Sequence, residues 1–415
     1  MPEFPVNQLR AMFPALRDGF IFFDNAAGAQ SPATVLDAVA YHLRYRNVQR
    51  GGRYRQSQEV DEAIASARSS VALLVNARYP EEICFGMNAT SFMRLISLAV
   101  GQSLQDRREI IVTDLDHEAN IAVWLALERE GAKIVWWHFR DDGRLHPEDL
   151  EMLLSARTRI VACTLASNAI GSILDVAEVS RLAHAAGAEV FVDAVHYGPH
   201  GPIDVQAFGC DYLVCSGYKI FSPHMGFLWG RRETLDALPT FREEFVPDTT
   251  PAKLEIGTYI YENVAGMEAA VRYLEELGRL VHPDLASRPD ATSRRAALVA
   301  SAEAIRDYET QLSCAMLDVL ANVNATVYGI TAKDQISHRT PTLCFNLPGI
   351  SPAKVTEALA TQNIGVRDGH MYSPRLMKRL ALSQESGAVR ASLVHYNTLE
   401  EVRSFGSSLA EMTHR

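Results

Sequence analysis

Lys219 closes the run Cys210-Asp211-Tyr212-Leu213-Val214-Cys215-Ser216-Gly217-Tyr218-Lys219, and an earlier apolar run, Val190-Phe191-Val192, delivers Asp193. A lysine leaving one strand and a carboxylate leaving another are what pyridoxal 5′-phosphate needs. The amine holds the aldehyde as a Schiff base, and the carboxylate keeps the ring nitrogen protonated so that the ring can take up electrons. Polar Ser216 and Tyr218 stand on a loop after an apolar strand, a setting where a lysine ammonium is partly desolvated and its pKa falls. A lysine after a strand is ordinarily just solvated, and an aspartate there ordinarily caps a loop or helix. The inference rests on the two together.

Two further stretches could serve the same chemistry. Gly86-Met87-Asn88-Ala89-Thr90-Ser91 precedes the apolar helical run Phe92 to Val100, so backbone N–H groups at Ala89 and Thr90 and the Thr90 hydroxyl are candidates for holding a phosphate at a helix N-terminus. The same residues also read as an ordinary cap. Asp116-His117-Glu118-Ala119-Asn120 opens another helix, and the flat His117 imidazole is placed to stack on a cofactor ring.

These residues need a rigid platform. From about residue 80 to 230, β-rich runs (109–113, 133–137, 159–163, 189–193) alternate with helical patterns near 119–130, 147–155 and 176–186. That rhythm predicts a mostly parallel sheet covered by helices on both faces, with ligands outside the carboxyl ends of the strands. His117, Asn168, Asp193 and Ser216 all fall just past strand-like runs, so one rim can gather them. Residues 286–295, rich in Pro, Ser, Arg and Asp, read as a surface loop or domain boundary before a helix near 296–322. Beyond it, strand-like Thr342–Asn346 and Val389–Leu393 mix with helices as a smaller α+β domain.

Composition narrows the class. The net charge of −10 argues against a general nucleic-acid binder. No apolar run is long enough to span a membrane, and Met1-Pro2-Glu3-Phe4-Pro5 lacks a signal-peptide pattern, so cytoplasm is the expected location. The six cysteines form no CxxC pair and sit mostly in apolar runs, which predicts buried reduced thiols; no metal site is expected.

The motifs Phe23-Asp24-Asn25-Ala26-Ala27-Gly28, Asp116-His117-Glu118-Ala119-Asn120, Ser167-Asn168-Ala169-Ile170-Gly171, Asp193-Ala194-Val195-His196, Ser216-Gly217-Tyr218-Lys219, Glu255-Ile256-Gly257-Thr258 and Val389-Arg390-Ala391-Ser392-Leu393 with Tyr396-Asn397-Thr398 occur in this order over nearly the whole chain. With them the chain resembles the class V aminotransferase-fold enzymes of the cysteine desulfurase and selenocysteine lyase group. The resemblance implies an α/β, type I pyridoxal phosphate-dependent transferase fold, with a mostly parallel seven-stranded sheet in a large domain (20–280). A small α+β domain would comprise 1–19 and 281–415. It further implies that Lys219 bonds the cofactor, Asp193 pairs with the ring nitrogen and His117 stacks on the ring. Asn168 and His196 would lie near the phenolic oxygen, while Thr90, Ser216 and Tyr218, joined by Thr258 of a neighbouring subunit, would hold the phosphate. A homodimer with a shared active site follows. Arg390 would clamp the α-carboxylate of an amino-acid substrate, its planar fork matching a carboxylate bidentately. Arg53 and Arg367 are further candidates for substrate contact; Arg53 belongs to a basic group with Arg50 and Arg55, and Arg375, Lys378 and Arg379 form another, either of which could border the entrance.

Three positions depart from the desulfurase pattern. His196 stands where desulfurases carry glutamine, and Tyr218 where they carry histidine. In the loop Arg367-Asp368-Gly369-His370-Met371-Tyr372, Tyr372 replaces the cysteine that receives sulfur. A phenol cannot take up sulfur as a thiolate does, so persulfide formation is disfavoured and Tyr372 becomes a proton donor, a wall of the pocket or a packing residue. What remains is cleavage at an amino acid's Cα, with Lys219 as base. The expected reaction is β-elimination from a cysteine S-conjugate. Transamination, epimerisation and decarboxylation-coupled oxidative deamination compete from the same starting complex, and a non-catalytic cofactor-binding sensor is the reading from outside enzymology.

Overall fold

The computed structural model describes residues 4–285 and 290–413. Its central sheet has seven strands in the order Ile83–Gly86, Gly226–Gly230, Tyr212–Ser216, Glu189–Asp193, Thr158–Thr164, Glu109–Thr113, Lys133–Trp137. The last five are mutually parallel, while Gly226–Gly230 runs antiparallel to both its neighbours. Successive side chains alternate between faces: Ile110, Val112, Ile160, Ala162, Phe191 and Val214 pack into one layer, Ile111, Val161, Val190, Val192 and Leu213 into the other. Both faces are covered, which is why these strands read as continuous apolar runs rather than alternating ones.

The crossover helices follow local signals. Ala89–Gly101 is capped by Asn88, whose side chain accepts from the Ser91 N–H, and Val176–Ala185 by Asp175, which accepts from the Glu178 N–H. The helical pattern at 119–130 divides into an α-helix, Ala119–Leu125, and a tighter 3-10 segment, Ala126–Glu130, ending at left-handed Gly131.

The segment 286–295 departs from its expectation. Residues 286–289 lie outside the described chain, but 291–295 are helical, and Ala291–Asn322 begins five residues before the sequence pattern suggests. The reason is local and tertiary at once. Asp290 caps the Ser293 N–H, Arg294 pairs with Glu275, and Arg295 donates to the carbonyls of Leu73, Leu74 and Ile203. Polar composition here marks a pinned helix start, not a break.

A second, antiparallel sheet has the order Arg367–Gly369, Ala388–Ser392, Thr342–Asn346, Thr326–Tyr328. Its core gathers Leu312, Met316, Leu343, Phe345, Val389 and Phe405 with Phe23. The short strand Ile21–Phe22 pairs in parallel with Ile364–Gly365, and the Asn25 side chain donates to the Ser392 carbonyl at 2.9 Å. These contacts bring Asp24 beside the Ala388–Ser392 strand. Among the described residues no helix is long and apolar enough to cross a membrane.

Candidate active site

Five chain segments leave the sheet at its carboxyl edge, each delivering a polar side chain. Thr90 follows Ile83–Gly86, His117 follows Glu109–Thr113, and Asn168 follows Thr158–Thr164; Asp193 ends Glu189–Asp193, and Ser216 ends Tyr212–Ser216. Lys219 lies in the 3-10 turn Gly217–Lys219 directly after Ser216. A cavity is lined by these six residues together with Ala89, His196 and Tyr218. Nine sequence candidates thus meet at one place.

Lys219 is the unusual group. It is 6 % exposed, and among the described residues its Nζ has no ion-pair partner. Burial, reinforced by the Arg390 charge, lowers its pKa to about 8, with Asp193 pulling the other way. Burial pushes the Asp193 carboxyl up to about 6, against the Val195 N–H that donates to its Oδ1 at 2.9 Å and against Lys219. His117 is lowered to about 4 by burial and by Lys219 and Arg390, so its ring is neutral at pH 7. The Ala119 N–H donates to His117 Nδ1, which leaves the ring proton on Nε2. His196 is held well below its usual value by burial and by His200, and its Nε2 lies 3.2 Å from Thr340 Oγ1. The site therefore offers a buried amine that gives up its proton near pH 8, a carboxyl with one backbone donor, a flat neutral imidazole and a hydroxyl-lined end.

A model of the family Aminotransferase class-V matches residues 21–281 and 296–405. The chain belongs to the class-V aminotransferase family. An aminotransferase-like protein of Gibberella zeae is 35% identical over 411 residues, covering 96% of each chain. A cysteine desulfurase of Enterobacter sp. strain 638 is 34% identical over 435 residues, 99% of each. Among solved structures, an apo cysteine desulfurase from Thermococcus onnurineus NA1 superposes with TM-score 0.87 at 27% identity, covering 100% of this chain and 99% of that one. The cysteine desulfurase CsdA of Escherichia coli gives 0.83 at 28% identity and 98% of both chains. The class-V chain is a pyridoxal phosphate-dependent enzyme of type I fold. Its buried, unpaired Lys219 and its singly bonded Asp193 fit that group: the first matches the aldehyde, the second a ring N–H.

The rim of this class-V site is built differently from its floor. Arg367 and Arg390 are directly opposite each other on neighbouring antiparallel strands, an arrangement of like charges that costs stability. Asp24 lies between them: its Oδ2 accepts from Arg367 Nε and its Oδ1 from Arg390 Nη2, both at 2.9 Å. Arg390 also donates to the Asn168 carbonyl at 2.8 Å, while its buried Nε has no partner. Asp24 lay inside a quoted motif without a role; its two arginine partners are distant in sequence, so only folding reveals it as their counter-ion.

Tyr372 is 54 % exposed and its ring stacks against His117, centroids 5.6 Å apart. Met371 and Tyr372 both have positive φ, and their carbonyls are held by Asn168 Nδ2 at 2.7 Å and the Glu118 N–H at 2.8 Å. Ser373 Oγ donates to Asn168 Oδ1 at 3.0 Å, so both ends of the Asn168 amide fasten this loop. Sequence placed Asn168 at the cofactor; the structure adds its second task. Asp116 was also missed: buried beneath His117, it accepts from Thr113, Asn120 and the Thr164 N–H, and burial raises its carboxyl to about 8.

Besides Tyr372, four candidates stand away from the cavity wall. Thr258 Oγ1 accepts from Gln49 Nε2 at 2.6 Å, and Arg53 is exposed. Arg50 and Arg55 pair with Asp61 and Glu59. Arg367 and Arg390 belong to the rim described above rather than to the cavity wall. Arg375, of the second basic group, is bound to Glu118 and lies over the Trp136 ring.

Proposed function

We propose that the enzyme is a carbon–sulfur β-lyase acting on a cysteine S-conjugate, working in the cytoplasm as a homodimer whose partner subunit supplies Thr258 to the phosphate end. The observation that carries the reading is the residue at the rim. The position facing His117 is the phenol of Tyr372, and no cysteine lines the cavity. Five of the six thiols are buried, with burial raising the pKa of each, and Cys314 lies on the helix Ala291–Asn322. A thiolate acceptor for sulfur is therefore absent from the described site, whereas elimination needs none.

The bound cofactor supplies an electron sink for negative charge developing at the substrate Cα. The chain's own groups do the rest. Asp193 would pair with a protonated ring nitrogen and so keep that sink deep. His117 would stack on the ring, and His196 and Asn168, which line the same cavity, would hold its polar edge. Arg390 and Arg367 orient the substrate carboxylate, which must take over from Asp24 the guanidinium N–H groups it now occupies. Lys219, once free, removes the Cα proton; an amine with a pKa near 8 is well matched to that transfer at neutral pH. The carbon–sulfur bond then breaks, the sulfur leaves with a proton, and overall addition of water gives thiol, pyruvate and ammonium without net oxidation. Tyr372, over the His117 face, walls the site from solvent.

The deciding experiment is product analysis by mass spectrometry after mixing holoenzyme with free L-cysteine and with a bulky S-substituted cysteine, under air and without a keto acid. Pyruvate and thiol from the conjugate are expected. Alanine and sulfide from cysteine would make it a desulfurase, an aldehyde with carbon dioxide a decarboxylating enzyme, and turnover only with added keto acid an aminotransferase; each of these overturns the lyase reading.

A further inference from the structure

The cofactor's phosphate carries nearly two negative charges at neutral pH, and the inner cavity offers it little positive charge. At the Thr90 and Ser216 end the wall is made of hydroxyls, and burial raises the Tyr218 phenol so that it stays uncharged. Lys219 is the cation of the inner wall, but its amine is needed for the covalent bond to the aldehyde. Compensating charge has to come from outside this wall.

Thr90, Ser216 and Tyr218 also line a second, open cleft on the solvent side, and the basic side chains along that cleft are Arg94 and His224. His224 lies flat on the Tyr218 ring, centroids 4.9 Å apart and planes 12° from parallel. The Lys219 ammonium stands 5.8 Å from the centroid of the same ring, so Tyr218 neighbours both the lysine and the imidazole. Arg94 follows Thr90 by one helical turn on Ala89–Gly101 and shares its face. Helical side chains lean toward the N-terminus, and Arg94 lines the cleft together with Asn88, Thr90 and Ser91 of the helix start. Among the described residues neither Arg94 nor His224 has an acidic partner.

We propose that the Arg94 guanidinium and the ring N–H of His224, seated on Tyr218, form a clasp for the phosphate of the cofactor. The imidazole that desulfurases place at position 218 is replaced here by one stacked a layer further out. The clasp rests on the cofactor reading above, and its test separates the two. Apo-enzyme is titrated with pyridoxal 5′-phosphate and with unphosphorylated pyridoxal, binding being read from the visible absorbance and from quenching of tryptophan fluorescence, each with and without inorganic phosphate. His224→Phe keeps a flat ring on Tyr218 but removes the N–H donor; Arg94→Gln keeps the helix and removes the charge.

Each variant is expected to weaken phosphorylated-cofactor binding about tenfold, and the double variant about a hundredfold, as for loss of one and two charge-assisted contacts. Pyridoxal affinity should stay within about twofold. Equal losses for both aldehydes would show that His224 and Arg94 only shape the site, and unchanged affinities for both would remove them from it; either result overturns the clasp. Unchanged cofactor affinity with a lost response to inorganic phosphate would assign the clasp to a free phosphate or a phosphorylated substrate, overturning it as well. Failure of wild-type enzyme to bind either aldehyde through Lys219 would instead sink the cofactor reading itself.

Discussion

The floor of the site and its rim are held by different means. Floor residues Asp193, Ser216 and Lys219 issue from adjacent strands of one parallel sheet, where Asp193 is in register with Thr164 on one side and Val214 on the other. Their positions are fixed by backbone pairing and by two buried apolar layers. The rim joins three remote segments: Asp24 near the N-terminus, Arg390 and Arg367 on the antiparallel sheet, and the left-handed pair Met371 and Tyr372. It is held by charge and side-chain hydrogen bonds. A floor of this kind fixes which cofactor is used, and a rim of this kind can change substrate without disturbing it. The departure at Tyr372 is on the rim; those at His196 and Tyr218 keep hydrogen-bonding capacity on the wall.

The largest test of the contrast is on the floor. Lys219→Ala should lower turnover of the favoured S-substituted cysteine by at least about a thousandfold, since both covalent bonding and proton removal are lost. Steady-state kinetics with added cofactor would show it, and near-normal rates would sink the floor assignment.

On the rim, Arg390→Lys keeps a positive charge opposite Arg367 but loses the planar fork. KM should rise by about one to two orders of magnitude with a smaller change in kcat, the pattern of a residue that binds the carboxylate in ground and transition state alike. A kcat effect without a KM effect would move Arg390 away from the carboxylate.

The third test uses pH. Because burial holds Lys219 near 8 rather than 10.5, the neutral amine is scarce below pH 8. The rate at which apo-enzyme takes up the cofactor aldehyde should climb about tenfold per pH unit below 8 and flatten above it. Linkage has a matching sign: between pH 8 and 10.5 the unfolded lysine binds a proton that the folded one does not, so apo-protein stability rises across that window. Stopped-flow absorbance and thermal melts over pH would read the two, and a flat uptake rate would mean Lys219 is not buried as an amine.

The smallest effect should come from the exposed phenol. Tyr372→Phe preserves the stack on His117 and should change kcat/KM by less than about threefold, whereas Tyr372→Ala forfeits about 0.5–1.5 kcal/mol, a change of up to about tenfold. A hundredfold loss in the phenylalanine variant would convert the wall into a proton donor.

Much of the floor was legible because parallel strands buried on both faces write themselves as apolar runs ending in a polar residue, as at Val190-Phe191-Val192-Asp193. The helix start at Asp290 was not, since its polar sequence resembles a loop until Glu275 and the Leu73 carbonyl are brought alongside. Asp24 was quoted but roleless for the same reason. The order of motifs along the chain by itself determined the fold class and the cofactor, and it picked out the residues that gather at the sheet's carboxyl edge, because those depend on short segments delivering one side chain each. Only the tertiary structure decided that Asp24 occupies the two arginines, that Asn168 fastens the Tyr372 loop and that His224 lies on Tyr218. Such pairings join residues far apart in sequence or set by a loop's path, and no local pattern encodes which remote group will satisfy a buried charge or hydrogen bond.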